Sequence, residues 1–325
     1  MVDGELIRQN LGNCLTSTEG LDLPGFRKGK VRDTYDLGEK LLLVVTDRQS
    51  AFDRVLASVP FKGQVLNQVS AWWFERTRDI VDNHVLSIPD PNATLAVKCS
   101  VFPVEFVIRG YLTGSTSTSA WTLYDSGLRN ICGNILPDGM SKNQKFPEPI
   151  ITPTTKSDEH DESITPAEIV SRGLMTCEDW EKASDIAMAL FRRGIDLAAG
   201  NGLILVDTKY ELGRNSDGEI VLVDEIHTPD SSRYWIAGSY KEKFARGENP
   251  DNIDKEFLRL WFRDNCDPYA DEVLPEAPDD LIVELSSRYI MLYEMITGTT
   301  FEPVSGENPV ERLRRNLASL YRAQV

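Results

Sequence analysis

The hydrophobic and polar positions between residues 29 and 46 alternate in the manner of a β-hairpin. Two strands, 29–37 and 40–46, are predicted on either side of a tight turn around Gly38. Pro103 separates the two other strand-like runs in this part of the chain, which are 95–101 and 104–112. The N-terminal third of the chain is therefore expected to be rich in β-structure.

Apolar residues at helical spacing follow the first hairpin and dominate the C-terminal part of the chain. In residues 63–81 this spacing places Val65, Val69, Trp72 and Trp73 on one side of a helix. The residues from Thr165 to Glu168 have the pattern of a capping box, which predicts that a short helix begins there. Longer helices are predicted at 177–199, 254–265, 280–297 and 309–321.

A second hairpin is predicted from two apolar runs, 203–213 and 220–226, around a turn at 215–218. The segment 136–163 is rich in Pro, Asp, Lys and Thr and is predicted to be a long ordered loop. These elements predict an α+β fold in which antiparallel sheets are surrounded by helices. Three domains are expected, and their bounds are 1–115, 116–250 and 251–325.

The composition is that of a globular enzyme, with 41% hydrophobic and 26% charged residues among 325. The 51 acidic residues exceed the 35 basic ones, giving a formal net charge of −16. Such a surface repels phosphate backbones and anionic lipids, so nucleic acid and membrane partners are not expected. The apolar runs are strand-sized, and the five scattered cysteines are expected to be reduced thiols rather than disulfides or a zinc site.

Charged residues alternate along the second hairpin, which is where the sequence carries most of its chemistry. Asp207, Lys209 and Glu211 share one face of a strand, and Asp224 and Glu225 follow the partner strand. The flanking apolar residues suggest a covered sheet, in which carboxylates need a compensating cation. Carboxylate oxygens suit Mg²⁺, which bridges nucleotide phosphates. The alternative is a solvated strand face with ion pairs.

Two further motifs are candidates for binding phosphate. In the segment from Arg27 to Asp33, a glycine enters a strand rich in Lys and Arg; the alternative is an exposed basic hairpin. Arg109 ends an apolar strand, and Gly114 and Ser115 are predicted to open a helix beside it, the alternative being an ordinary N-cap. No nucleophile arrangement stands out, which favours phosphoryl chemistry by positioning and charge neutralisation.

Six motifs taken in order resemble those of the phosphoribosylaminoimidazole-succinocarboxamide synthase family, also called SAICAR synthetases. The resemblance extends from about residue 25 to residue 316, and the PDGM and ENPDNIDKEF segments are similar to the longer forms of that family. The six motifs are GKVRD, TDRQSAFD, VEFVIRGYLTGS, TPTTK, DTKYELG and DEIHTPDSSRYW.

The resemblance implies a nucleotide site similar to those of ATP-grasp and kinase-like proteins, with ATP and Mg²⁺ as cofactors. It implies an ATP-dependent ligase that joins L-aspartate to carboxyaminoimidazole ribotide (CAIR), giving SAICAR, ADP and phosphate in de novo purine biosynthesis. An acyl phosphate is the expected intermediate. Domain 1–115 would bind the nucleotide, 116–250 would complete the nucleotide and substrate site, and 251–325 would be a helical subdomain.

The resemblance also implies roles for individual residues. The catalytic residues would be Lys209, Asp207 and Lys156. The ATP-binding residues would be Gly29, Lys30, Arg32, Val101, Glu105, Glu211 and Asp224. The metal ligands would be Glu211, Asp224 and Asp207. The substrate-binding residues would be Arg109, Ser115, Asp230 and Arg233 for the ribotide, and Ser50, Asp53 and Lys62 for the aspartate pocket. The shorter forms have fewer residues where this chain has His227 and Thr228, and His227 is expected to make a structural hydrogen bond.

Two rival functions are open from the sequence alone, a small-molecule kinase using the same nucleotide site and a nucleotide-binding regulatory module without turnover. The partners are expected to be the small-molecule substrates CAIR, L-aspartate and ATP. A monomer or a small homo-oligomer is expected. The expected compartment is the cytoplasm, the alternative being a plastid or another organelle after removal of a targeting segment.

Overall fold

The computed structural model describes residues 2–52, 54–116, 118–156, 162–252 and 256–322. Its strands are β1 Phe26–Lys28, β2 Arg32–Asp36, β3 Lys40–Val45, β4 Arg48–Ala51, β5 Arg54–Ser58, β6 Val85–Asp90, β7 Ala93–Val97, β8 Ser100–Leu112, β9 Asn130–Ile131, β10 Asn134–Ile135, β11 Gln144–Ile151, β12 Thr154–Thr155, β13 Leu203–Arg214, β14 Ile220–Val223 and β15 Ser232–Ile236.

The α-helices are α1 Gly4–Gln9, α2 Lys62–Arg76, α3 Ala120–Asp125, α4 Pro166–Ser171, α5 Cys177–Gly200, α6 Ala237–Ala245, α7 Glu256–Asn265, α8 Asp279–Thr297, α9 Pro309–Asn316 and α10 Ala318–Arg322. Two short 3₁₀ helices lie at Leu11–Asn13 and Glu19–Leu21. These helices and strands form antiparallel sheets accompanied by helices, which confirms the predicted α+β class.

The chain divides into two compact units. The first consists of Met1–Trp72, Val85–Lys98 and Asp254–Val325, and the second of Trp73–His84 and Cys99–Ile253. In this division the C-terminal helices pack within the first unit, and the three domains expected at 1–115, 116–250 and 251–325 stay a prediction. Arg312 of α9, for example, makes a fully buried ion pair with Asp90 at the end of β6.

The first unit is built on a five-stranded antiparallel sheet with the strand order β1-β2-β3-β7-β6, and β4 and β5 form a separate hairpin. One face of the sheet contributes Tyr35, Leu42 and Val44 to a core that also holds Leu313 and Leu317. The predicted hairpin is present, but its first strand begins only at Arg32. The residues Gly29 to Val31 form a turn instead, closed by a hydrogen bond from Gly29 N to Arg32 O of 2.8 Å.

The second unit is built on a six-stranded sheet with the order β11-β8-β13-β14, in which β12 also pairs with β8 and β15 with β13. Helix α5 covers one face of this sheet, and Trp180 of the helix stacks on Phe106 with ring centroids 5.3 Å apart. Its buried stripe has helical spacing: Trp180, Ala183, Ala187, Leu190, Phe191, Gly194 and Ala198. The other face of the sheet carries the charged residues described below.

Several predicted elements are confirmed. Helix α5 begins after the N-cap Thr176, and α4 begins with the expected capping box of Thr165 and Glu168. The second hairpin is formed by β13 and β14. Helices α7 and α8 lie close to their predicted bounds, whereas the helix expected at 309–321 is broken at Leu317 into α9 and α10.

Three predicted elements are wrong. Strand β8 runs through Pro103, because the proline, which has no N–H to donate, lies where the pairing with β13 shifts between Gly213 and Glu211. The loop expected at 136–163 contains β11 and β12, although 157–161 lies outside the described residues. Gly114 and Ser115 do not open a helix; α3 begins at Ala120, after the N-cap Ser119.

Candidate active site

The charged residues of β13 meet those of β8 through the register of the sheet. Asp207 pairs with Arg109, and Glu211 pairs with Glu105. Because side chains alternate along a strand, Lys209 lies between these two pairs on the same face. The antiparallel pairing thus gathers five charged side chains, from segments about a hundred residues apart in the chain, into one cluster.

Lys209 holds the centre of this cluster. Its Nζ lies 2.8 Å from Glu105 Oε1 and 2.8 Å from Glu211 Oε1. The second carboxylate oxygen of Glu211 accepts a hydrogen bond from the Nζ of Lys156, which follows β12. Glu105 and Glu211 are only 8% and 5% exposed, so these lysines compensate charges that would be costly to bury alone.

The charge state of Lys209 follows from its neighbours. Burial alone would lower the pKa of the Lys209 ammonium, but the carboxylates of Glu211, Asp224 and Glu105 outweigh burial and raise this pKa above its ordinary value. These carboxylates therefore favour the protonated, cationic form of Lys209. A fixed cation of this kind can stabilise negative charge that develops on a nearby oxygen.

A second group of charges lies along the same face, centred on Asp207. The NH1 of Arg233 on β15 donates to Asp207 Oδ2 at 2.9 Å, and the NH1 of Arg109 lies 3.9 Å from the same oxygen. The Nε of Arg109 donates to Thr152 Oγ1 at 2.8 Å. Burial lowers the pKa of Arg109, and the nearby carboxylate of Asp207 offsets only part of this effect. The guanidinium nevertheless stays charged at physiological pH. The two arginines form a positive region suited to an anionic ligand.

A cavity of about 210 Å³ opens beside these charges. Its polar lining comes from β8, from the residues that follow β11 and from Ser163, and its apolar lining comes from β8, α3 and β9. The polar lining includes Glu105, Arg109, Thr152, Thr154 and Ser163, and the apolar lining includes Val107, Ala120, Leu123 and Ile131. An apolar wall facing a few charged groups is typical of a small-molecule site.

Asp224 completes the acidic part of the cluster. It follows Val223, which pairs with Glu211, and its backbone takes the left-handed conformation with φ 67°. That unusual conformation turns the chain directly after β14, and the charge of Asp224 contributes to the raised pKa of Lys209. Beyond it, Glu225 accepts a hydrogen bond of 2.6 Å from Thr228 Oγ1, which stabilises the turn leading to Asp230.

His227 lies on the opposite side of the sheet and has a structural role. Its Nε2 bonds to the hydroxyl of Tyr210, and its carbonyl accepts a hydrogen bond of 2.9 Å from the Tyr234 hydroxyl. The ring packs edge-on against Trp73 with centroids 4.5 Å apart. Complete burial lowers the pKa of His227 to about 3, so the imidazole is neutral. The predicted structural hydrogen bond is confirmed.

The first unit contains three further predicted nucleotide residues, Gly29, Lys30 and Arg32, around the turn between β1 and β2. Gly29 is needed there because a Cβ atom would lie 2.5 Å from Arg32 O. The buried guanidinium of Arg48 donates to Gly29 O and Lys30 O at 2.9 and 3.0 Å, and to Asp33 Oδ1 at 2.6 Å. Arg48 therefore fixes the backbone of this turn while the Lys30 side chain is exposed.

The residues suggested for an aspartate pocket have different surroundings. Ser50 is half-buried in β4, whereas Lys62 at the start of α2 is fully buried, with Nζ 5.6 Å from the centre of the Tyr289 ring. Asp53 lies outside the described residues. These assignments, together with those of the exposed Val101 and Ser115 and the half-buried Asp230, stay predictions.

Two residues of the site were missed by sequence reasoning. Thr152 and Thr154 contact charged side chains of β8, but their segment was predicted to be a loop. Their spacing of two residues, next to a segment with strand character, was the signal that could have placed both hydroxyls on one face. Among the described residues no group of three or more His, Cys, Asp or Glu side chains is arranged to hold a metal ion. Likewise, no described helix is both long and apolar enough to span a membrane.

A known protein family matches most of the chain. The model of the SAICAR synthetase family matches residues 25–276, which include both β13 and the charged cluster around Lys209. The chain belongs to the SAICAR synthetase family.

Individual SAICAR synthetases are similar over nearly the whole chain. A phosphoribosylaminoimidazole-succinocarboxamide synthase of Legionella pneumophila (strain Lens) is 61% identical over 305 residues, covering 94% of this chain and 97% of the relative. A SAICAR synthase of Saccharomyces cerevisiae in complex with SAICAR is 35% identical, with a TM-score of 0.76, covering 89% of this chain and 99% of the other. A SAICAR synthetase in complex with ADP is 26% identical, with a TM-score of 0.65. The match covers 86% of this chain and 100% of the other.

Proposed function

We propose that the cluster around Lys209 is the reaction centre of a ligase that joins L-aspartate to carboxyaminoimidazole ribotide at the expense of ATP. As a SAICAR synthetase, the chain catalyses this condensation in purine biosynthesis and forms SAICAR, ADP and phosphate. The observation that supports the location is the Lys209 ammonium, fixed between Glu105 and Glu211 beside a cavity and two arginines.

The proposed reaction passes through an acyl phosphate, because a free carboxylate is a poor acyl donor. A carboxylate oxygen of the ribotide forms a bond to the γ-phosphorus of ATP as the bond to the β,γ-bridging oxygen breaks, and ADP leaves. The amine nitrogen of aspartate then bonds to the carbonyl carbon and gives up a proton to a base. The bond from carbon to the phosphate oxygen breaks, and phosphate leaves with the electron pair.

Lys209 and Lys156 would act on these steps through charge. Both ammonium groups contact Glu211, so each can neutralise oxygen atoms that gain charge as the phosphoryl group moves. Asp207 would orient Arg233 and Arg109, since its Oδ2 lies within 4 Å of both guanidinium groups. The two arginines would bind an anionic part of the ribotide, with Ser115 and Asp230 beside them.

The carboxylates of Glu211 and Asp224 fit Mg²⁺ by their chemistry, because hard oxygen donors suit this ion. Bound there, the ion would neutralise charge on the nucleotide phosphates. Asp207 is a third candidate ligand; its Oδ2 accepts from Arg233, just as the two oxygens of Glu211 accept from Lys209 and Lys156. The contacts of Gly29, Lys30, Arg32, Val101 and Glu105 with ATP remain part of the proposal, as do those of Ser50, Asp53 and Lys62 with aspartate.

The test is turnover with a carboxylated ribotide labelled with ¹⁸O in its carboxylate. Purified protein, ATP and MgCl₂ are incubated with this ribotide, with and without L-aspartate, and products are analysed by mass spectrometry. The expected result is SAICAR with one ¹⁸O atom in the released phosphate, in the presence of aspartate. SAICAR with unlabelled phosphate would contradict the acyl phosphate. A phosphorylated ribotide that accumulates whether or not aspartate is present would identify a kinase, and no reaction would favour a regulatory module.

A further inference from the structure

Two threonine hydroxyls each contact a charged side chain of β8. Thr152 and Thr154 flank Pro153, directly after β11, and both line the cavity beside the charged cluster. Thr152 is anchored by a backbone hydrogen bond from its N–H to Val107 O of 2.8 Å. Thr154 pairs with Glu105 in the sheet. The backbone positions of both threonines relative to β8 are thus fixed by pairing.

The Thr152 hydroxyl determines how Arg109 is used. It accepts a hydrogen bond of 2.8 Å from Arg109 Nε, and its own proton can be donated to Val107 O at 3.4 Å. The Nε of Arg109 is bound to Thr152, so the two terminal nitrogens are the ones that face other groups. NH1 forms an ion pair with Asp207 Oδ2 at 3.9 Å. Thr152 is 3% exposed, so water does not readily replace the hydroxyl.

The Thr154 hydroxyl has the corresponding relation to Glu105. It donates to Glu105 Oε2 at 3.2 Å, while Lys209 donates to Glu105 Oε1 at 2.8 Å. Two donors on separate oxygens fix the plane of the carboxylate. The Glu105 carboxylate is in turn one of the two groups that hold the Lys209 ammonium in place.

We propose that Thr152 and Thr154 are positioning residues, Thr152 for the binding of the ribotide by Arg109 and Thr154 for the charge of Lys209 during the reaction. This inference rests on the proposed function of the cluster. Without the Thr152 hydroxyl, the buried Nε of Arg109 lacks an acceptor, and the guanidinium turns toward Asp207 and away from the ligand. Without the Thr154 hydroxyl, Glu105 turns and Lys209 loses its fixed place.

The two roles predict different kinetic effects of removing each hydroxyl. Valine has nearly the shape of threonine, so Thr152→Val and Thr154→Val remove the hydroxyl with little change in packing. Thr152→Val is expected to raise KM for the ribotide about 10-fold and to leave kcat and KM for ATP within about 2-fold, since a hydrogen bond to a charged group is lost. Thr154→Val is expected to lower kcat about 10-fold with little effect on KM for the ribotide.

Serine variants and a neighbouring threonine are the controls. Thr152→Ser and Thr154→Ser keep the hydroxyl and are expected to restore near wild-type constants. Thr155→Val changes another threonine of the same segment. The Thr155 hydroxyl accepts a hydrogen bond of 3.1 Å from Glu162 N instead of facing β8, so this variant should leave the kinetic constants unchanged. Melting temperatures of all variants show whether folding is affected.

The outcomes separate the inference from the proposed function. Wild-type protein that makes SAICAR, together with the two different effects above and rescue by serine, supports the inference. Wild-type turnover with unchanged constants in both valine variants would overturn it. A common fall in all constants that serine does not rescue would also overturn it, by showing a merely structural role. A wild-type protein that makes no SAICAR would overturn the proposed function and this inference with it.

Discussion

The hydroxyl of Tyr210 forms a hydrogen bond with Nε2 of His227 on the face of β13 opposite to Lys209 and Glu211. Because Tyr210 stands between these two residues in the strand, the hydrogen bond links the loop after Asp224 to the back of the same strand that carries the charged cluster. Neither group touches the cavity. Their hydrogen bond holds β13 and the loop after Asp224 together, and these two segments carry the acidic residues of the cluster.

Replacing His227 by leucine is expected to destabilise the protein by about 2 kcal/mol, because the buried Tyr210 hydroxyl then lacks an acceptor. The double variant Tyr210→Phe/His227→Leu should be more stable than His227→Leu, since both polar partners are gone. Urea unfolding of Tyr210→Phe, His227→Leu, the double variant and the wild type gives the coupling free energy between the two residues. A double variant less stable than His227→Leu would mean that the hydrogen bond does not carry the interaction.

The lowered pKa of His227 predicts how the stability of the protein depends on pH. Its folded-state pKa of about 3 lies below the unfolded value of about 6.5, so the neutral ring contributes stability in full above pH 6.5. That contribution is lost as pH falls from 6.5 toward 3, and it amounts to at most about 5 kcal/mol. In NMR spectra the assigned His227 ring signals should not shift between pH 8 and 5. His227→Leu should flatten the fall of the unfolding free energy in the acidic window; an unchanged slope would contradict this.

Gly194 in the middle of α5 should resist substitution for a steric reason. A Cβ atom there would overlap His227 Cε1 and lie 2.6 Å from Leu205 Cδ2, so Gly194→Ala is expected to cost about 2 kcal/mol. Gly200, at the end of the same helix, is the matched control, because a Cβ there has nothing within 4 Å. Gly200→Ala should leave the melting temperature unchanged or raise it. Equal effects at the two glycines would count against the close packing of α5 on His227.

Buried and exposed ion pairs in the first unit should differ sharply in their contribution to stability. Arg48→Met leaves the fully buried Asp33 without its arginine and is expected to cost about 3 kcal/mol. Lys98→Met breaks an exposed pair with Asp36 and should leave the midpoint of unfolding nearly unchanged, because solvent screens such pairs. Chemical denaturation of both variants makes the comparison. A loss for Arg48→Met no larger than that for Lys98→Met would rule out Arg48 as the residue that fixes the turn at Gly29.

Local patterns in the sequence were sufficient to predict much of the fold and the charged face of β13. The alternation of Asp207, Lys209 and Glu211 placed three charges on one strand face, and the capping box at Thr165 located a helix start. Such features depend on neighbours a few residues apart, so they can be recognised without knowing the tertiary structure.

The features that sequence reasoning missed depend on partners far away in the chain. Pro103 lies inside a strand because the pairing of β8 with β13 shifts beside it, and this shift involves residues more than a hundred positions apart. Thr152 gains its role only through Arg109, and the C-terminal helices join the first unit through contacts such as that of Arg312 with Asp90. No local pattern encodes these pairings.

The turnover number of a Lys209→Met variant tests the proposed reaction centre most directly. Methionine keeps much of the side-chain volume but removes the charge between Glu105 and Glu211. The exposed Lys241 on α6 provides the control Lys241→Met, for which wild-type kcat is expected. Lys209→Met should lower kcat for SAICAR formation by at least about 100-fold while the protein keeps its fold by circular dichroism. A folded Lys209→Met variant with a kcat close to that of the wild type would contradict the account.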